Sequence, residues 1–74
     1  MNKKMINKNL TELQKDILSY IKKYISENKI APTQKEIYIY ANKHRTTVRD
    51  NLYLMVRKGH IEIIKNKRRG IKIK

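Results

Sequence analysis

Arg45, Thr46, Thr47, Arg49 and Tyr53 fall at spacings that put most of them on one side of a helix, with His44 immediately ahead. These residue types suit a base-reading surface. A guanidinium fork bonds O6 and N7 of guanine, and a threonine hydroxyl or methyl meets a phosphate or a thymine methyl. The alternative is a solvated helix face with no ligand. A second group, Lys65, Lys67, Arg68 and Arg69, gathers cations with no acid among them. Such a cluster repels itself unless an anion approaches, and it suits a phosphate backbone or a narrow minor groove. Thr33, Gln34 and Lys35 form a third group, at the amino end of a helix where free amides and the positive dipole end receive a phosphate. Tyr38 and Tyr40, like Tyr53, either bond a phosphate oxygen or pack at the margin of the core.

Nothing comparable exists for catalysis. The only histidines are His44 and His60, there is no cysteine, and Ser19 and Ser26 lack acid–base partners at useful spacing. Neither paired carboxylates nor a Gly-rich phosphate loop occurs, so the chain reads as a non-enzyme with no metal, no cofactor and no small-molecule ligand.

Charge points the same way. The 74 residues hold 19 Lys and Arg against 6 acids, a formal charge of +13. At this size such an excess implies a polyanionic partner, nucleic acid first and an anionic membrane second. The membrane is disfavoured, because no run of about 18 apolar residues occurs and the start, MNKKMINKN, is too polar for a signal sequence. Lys, Asn and Ile are abundant while Gly, Pro and Ala are scarce, a bias expected of an AT-rich genome that accounts for part of the charge. A chain of this length forms one domain that removes only about 60% of its unfolded surface from water. Without cysteine its core must hold the fold alone, which fits a reducing, cytoplasmic setting at the nucleoid.

The elements that position these groups are legible in turn. Residues 1–9 lack periodicity and read as a flexible basic arm that could touch phosphate. Thr11 and Gln14 form a capping box, and Leu13, Ile17, Ile21, Tyr24 and Ile25 repeat at helical steps through Asn28. Leu18 and Tyr20 lie off that stripe, at the periphery of the core or at a dimer contact. Pro32 keeps Lys29 to Pro32 extended, with Ile30 as its anchor in the core. Thr33 and Glu36 make a second capping box; Ile37 and Ala41 supply the buried stripe, and Asn42 supplies the turn. The spacing of Val48, Leu52 and Met55 predicts a third helix from Arg45 to Lys58, capped by His44 or Thr46 and stopped by Gly59. Ile61 to Ile64 and Ile71 to Ile73 then alternate as strands around KNKRRG. Three helices followed by a β-hairpin wing make an α+β, winged helix-turn-helix domain over residues 10–74.

The stretches LTELQKDILSYIKKYI, APTQKEI, VRDNLYLMVRKGHIEI and RRGIKI, in that order, resemble the amino-terminal DNA-binding domain of LexA-type repressors. The segment between Ile37 and Asn51 departs: it is about one residue shorter than that pattern, and HRTTVRDNL is closer to the recognition-helix opening of GntR-type regulators. Lys43 stands where such motifs carry an apolar turn residue, and His44 where they carry Ser or Thr. LexA-type proteins continue into a dimerising domain with a Ser-Lys self-cleavage dyad, whereas the sequence stops at Lys74, so self-cleavage is not expected. The resemblance implies a sequence-specific regulator of double-stranded DNA, a repressor that reads the major groove with its third helix.

Two other readings share these residues. One is a non-specific nucleic-acid binder, RNA included, which the charge alone would support. The other is a small phage or mobile-element interaction protein that modulates a larger regulator or inhibits a nucleic-acid enzyme, with Leu18, Ile39 and Leu54 as partner contacts. A homodimer or a protein partner stays open in each.

Overall fold

A computed structural model of the chain describes residues 8–74. Two of its helices open on the capping boxes. The Thr11 hydroxyl accepts from the Gln14 amide at 3.2 Å, and Gln14 Oε1 accepts from the Thr11 amide at 3.2 Å, starting α1 (Glu12–Asn28). Thr33 and Glu36 repeat the exchange at 3.1 and 2.9 Å ahead of α2 (Gln34–Ala41). Each box satisfies two amides that a first helical turn leaves without intrahelical partners. Asn42, with φ 55°, closes α2 in the left-handed region, and α3 (Arg45–Arg57) begins three residues on. The cap of α3 is His44 rather than Thr46: His44 Nδ1 accepts from the Thr46 amide at 3.2 Å. Lys58 caps the far end and Gly59 follows at φ 84°, a backbone state cheap for glycine.

The apolar stripes meet in one cluster. Ile17 and Ile21 of α1, Ile37 of α2, and Val48, Leu52 and Met55 of α3 are all fully buried, and Ile61, Ile71 and Ala31 complete the core. Burial of each large aliphatic chain contributes roughly 1.5–3 kcal/mol. Leu18 and Tyr20 pack against this cluster from its edge. The connector differs from expectation. Ile30 is 49% exposed, while Ala31 and Pro32 are buried. Lys29 ends α1 at φ 64°, and this left-handed residue turns the following backbone so that Ala31 and Pro32, not Ile30, face inward.

The wing is a short antiparallel pair, β1 (Ile61–Ile63) and β2 (Ile71–Ile73), with Ile61 opposite Ile73, Glu62 opposite Lys72 and Ile63 opposite Ile71. Alternation sends Ile61 and Ile71 into the core and leaves Glu62 and Lys72 outside. Ile64 does not extend the strand; its amide donates to the Gly70 carbonyl at 2.9 Å and closes the loop. A Cβ on Gly70 would lie 2.8 Å from the Ile64 carbonyl oxygen and 3.0 Å from that of Lys67, so the loop root has no room for a side chain. The arrangement is the winged helix-turn-helix expected from the element order. No described helix is long and apolar enough to cross a membrane.

A buried polar hub sets α3 against α1. Gln14, 1% exposed, donates through Nε2 to Asn51 Oδ1 at 2.9 Å, and its Oε1 also accepts from Lys58 Nζ at 2.7 Å. Lys58 Nζ donates further to the Asn9 carbonyl at 2.9 Å, and His60 Nε2 to the Lys8 carbonyl at 2.7 Å. The expected arm of residues 1–9 thus enters the description at Lys8 and Asn9, where its backbone is tied to the end of α3; the rest of it lies outside the described residues.

Candidate nucleic-acid interface

With Val48, Leu52 and Met55 buried, helical geometry turns Arg45, Thr46, Thr47, Arg49 and Tyr53 outward, and all five are exposed. Arg45, Arg49 and Tyr53 follow one another at four-residue steps and form a ridge along α3. Asn51 holds this helix from its flank: its Nδ2 donates to the Thr47 carbonyl at 2.8 Å while its Oδ1 receives the Gln14 bond. Because His44 Nδ1 accepts the capping bond, the ring proton is carried on Nε2 while the cap is formed.

The helix-turn-helix brings two of the expected groups together. An open concavity of about 400 Å³ is lined by Gln34 and Lys35 from the start of α2 and by Arg45 and Arg49 from α3. Tyr38 lines it as well, one turn further along α2. Tyr38 also packs against the core cluster, so it takes the core-margin place expected of it as well as a place in the hollow. The amides of Gln34 and Lys35, the first two helical residues of α2, have no acceptor among the described residues. Cationic forks, a phenol and free amides around one hollow make an anion-accepting surface.

Thr33 has a different place. It is 5% exposed, its hydroxyl accepts from Glu36 and its amide donates to Glu36 Oε1, so its polar groups serve the cap. As the N-cap it sets where the Gln34 and Lys35 amides stand.

Arg49 is loosely held. Its Nε lies 3.6 Å from Asp50 Oδ1, and the two side chains are 54% and 64% exposed. Exposed pairs of this kind contribute about 0–1 kcal/mol, so Asp50 constrains the Arg49 guanidinium little.

Lys65, Lys67 and Arg68 occupy the exposed tip of the wing, outside the α2–α3 concavity. Arg69 does not join them as an unpaired cation. Its Nη1 donates to Glu36 Oε1 and to the Ala31 carbonyl, both at 2.9 Å, and its Nη2 to Glu36 Oε2 at 3.1 Å. Nη1 also lies 3.3 Å from the Tyr24 hydroxyl. The bidentate bond from Arg69, assisted by the Thr33 amide, holds the Glu36 carboxyl at about 2, well below its ordinary 4.5. Glu36 therefore closes the α2 cap and anchors the wing root at once. The second role had no local signal, because Arg69 lies far along the chain.

Of the apolar residues that an interaction surface would use, Leu18 packs against the core, whereas Ile39 and Leu54 are 63% and 44% exposed. No cluster of three or more His, Asp or Glu side chains suited to a metal ion occurs among the described residues.

Similarity to known proteins places the chain in a family. The chain is 36% identical over 66 residues to the LexA repressor of Cellvibrio japonicus (strain Ueda107), an alignment covering 88% of the chain and 33% of the repressor. It thus spans about a third of that relative's length. The family model of the LexA DNA-binding domain matches residues 7–70, a stretch holding all three helices and the wing as far as its closing glycine. By this match the chain belongs to the family of LexA DNA-binding domains.

Proposed function

We propose that the chain is a sequence-specific double-stranded DNA-binding regulator that acts as a repressor, occupying an operator and excluding polymerase by position. The observation that carries this reading is the single concavity in which Gln34 and Lys35 meet Arg45 and Arg49. In the proposed complex α3 lies in the major groove. Arg49 and Arg45 bond guanine edges there, while Thr46 and Thr47 meet phosphate or a thymine methyl. His44 Nε2 and the Tyr53 hydroxyl donate to the backbone beside them. The amides of Gln34 and Lys35 receive a phosphate at the positive end of α2. Lys65, Lys67 and Arg68 follow the flanking backbone, where a narrow A·T-rich minor groove would attract them. Arg69 acts from within, keeping the wing root against α2.

Selection of the protein against a random duplex pool at physiological salt tests the reading. A short enriched motif is the expected result. Salt-sensitive binding with no motif, fully competed by non-cognate duplex, would replace it with a non-specific binder.

A further inference from the structure

Tyr38 and Tyr40 stand two positions apart on α2, and so roughly 200° apart around its axis. Tyr38 lines the basic hollow; Tyr40 lines a second open concavity, of about 390 Å³, between α1 and α2. The two hollows share no lining residue. We propose that the second is a binding site for the guanidinium group of an arginine carried by a protein partner.

Its walls are aromatic and its rim is acidic. Tyr20 and Tyr40 stack with centroids 4.2 Å apart and planes 14° apart, and Tyr24 stands 5.9 Å from Tyr20, tilted by 54°. The Tyr40 hydroxyl donates to Asp16 Oδ1 at 2.6 Å, which fixes the ring and leaves Oδ2 for another donor. The Glu27 side chain makes no hydrogen bond or ion pair among the described residues, and neither does that of Lys23, the one cation of the lining. In a chain with 19 Lys and Arg and 6 acids, two carboxylates to one ammonium is a local reversal of sign. Burial, with help from Glu36, pushes the Tyr20 hydroxyl up, and the bond to Asp16 does the same for Tyr40, so both phenols stay neutral.

The molecule already shows this chemistry binding an arginine. On the Glu36 side of Tyr24, the Arg69 guanidinium carbon lies 6.0 Å from the ring centroid while Glu36 takes its fork. Tyr40, 46% exposed and backed by Tyr20, offers with Asp16 and Glu27 the same pairing of aromatic ring and carboxylate, with no arginine of the described chain in place. A planar guanidinium suits it better than an ammonium, because it can lie on a ring and bond carboxylates at its edge together. Phosphate is excluded by the two carboxylates. A single guanidinium fills only part of the hollow, which leaves room for the residues flanking it in a polypeptide.

The test uses isotope-labelled full chain titrated with N-acetyl-arginine amide, followed by amide and tyrosine ring shifts. Saturable changes confined to Asp16, Tyr20, Tyr24, Glu27 and Tyr40 are expected, with a dissociation constant on the order of 1–10 mM for so few contacts. The isosteric, uncharged citrulline amide should leave those shifts unmoved. Glu27→Gln and Asp16→Asn should each weaken binding about two- to fivefold, the range of an exposed charge pair, with DNA affinity unchanged. Equal response to citrulline, or changes scattered over the surface, overturns the site. A short peptide with a central arginine should bind at least as tightly as the free amide; exclusion of the peptide overturns the protein-borne source.

Discussion

Arg49 and Arg69 each stand beside a carboxylate, and the two pairs behave differently because of what surrounds them. Arg49 touches Asp50 at 3.6 Å on an open helix face, with more than half of each side chain in water. Arg69 grips Glu36 with both nitrogens, also reaches the Ala31 carbonyl and the Tyr24 hydroxyl, and is 34% exposed. Water and salt screen the first pair, which leaves its cation free for a ligand. The second pair has fixed geometry, and Arg69 joins the wing to three segments distant from it in sequence. A basic residue in this protein is thus loosely held or a strut according to its neighbours, not its type.

The largest effect that would sharpen this contrast is on DNA affinity. Arg49→Ala should relax one position of the selected motif and cost about 1–3 kcal/mol of binding, with little change in melting temperature. Arg69→Ala should do the reverse, lowering the melting temperature by several degrees in a thermal scan and weakening every sequence alike. If Arg69→Ala instead relaxed a single base position in a protein of unchanged stability, the distinction between contact and strut would be broken.

A smaller effect belongs to acid stability. Glu36 is held at about 2 in the folded chain against 4.5 when unpaired. Its contribution is therefore complete above about 4.5 and is lost as pH falls toward about 2. Across that window Glu36→Gln should lose stability less steeply than the parent, as read by denaturant midpoints at each pH. Asp50→Asn should leave the steepness nearly as it was. Parallel curves for Glu36→Gln and the parent would remove the Glu36–Arg69 pair from the account of stability.

The smallest changes should come from the wing tip. With six to eight phosphates neutralised, log affinity is expected to fall against log salt with a slope of about −5 to −7. Lys67→Ala and Arg68→Ala should each reduce that slope by about 1 without altering the motif. An unchanged slope would show that the tip does not reach the backbone.

Part of this contrast is legible in the sequence alone. Capping boxes at Thr11 and Thr33, the left-handed Asn42, and the three- and four-residue steps of Ile17, Ile21, Val48, Leu52 and Met55 are local signals, since caps and helical faces depend on residues a turn apart. Together they determined the helices, the inward and outward faces of α3, and hence the exposed row of Arg45, Arg49 and Tyr53. The change to alternation after Gly59 determined the hairpin. Charge and residue type marked Lys65 to Arg69 as one basic group. Tertiary structure alone decided which members of that group are free, because the partners of Arg69 come from α1, the connector and α2. It also chose Ala31 and Pro32 over Ile30 for the interior, through the left-handed turn at Lys29. The two hollows beside α2 were equally out of reach of the sequence. Each is made by side chains from different helices, and only packing sets which side of α2 meets the carboxylates of α1 and which meets the arginines of α3.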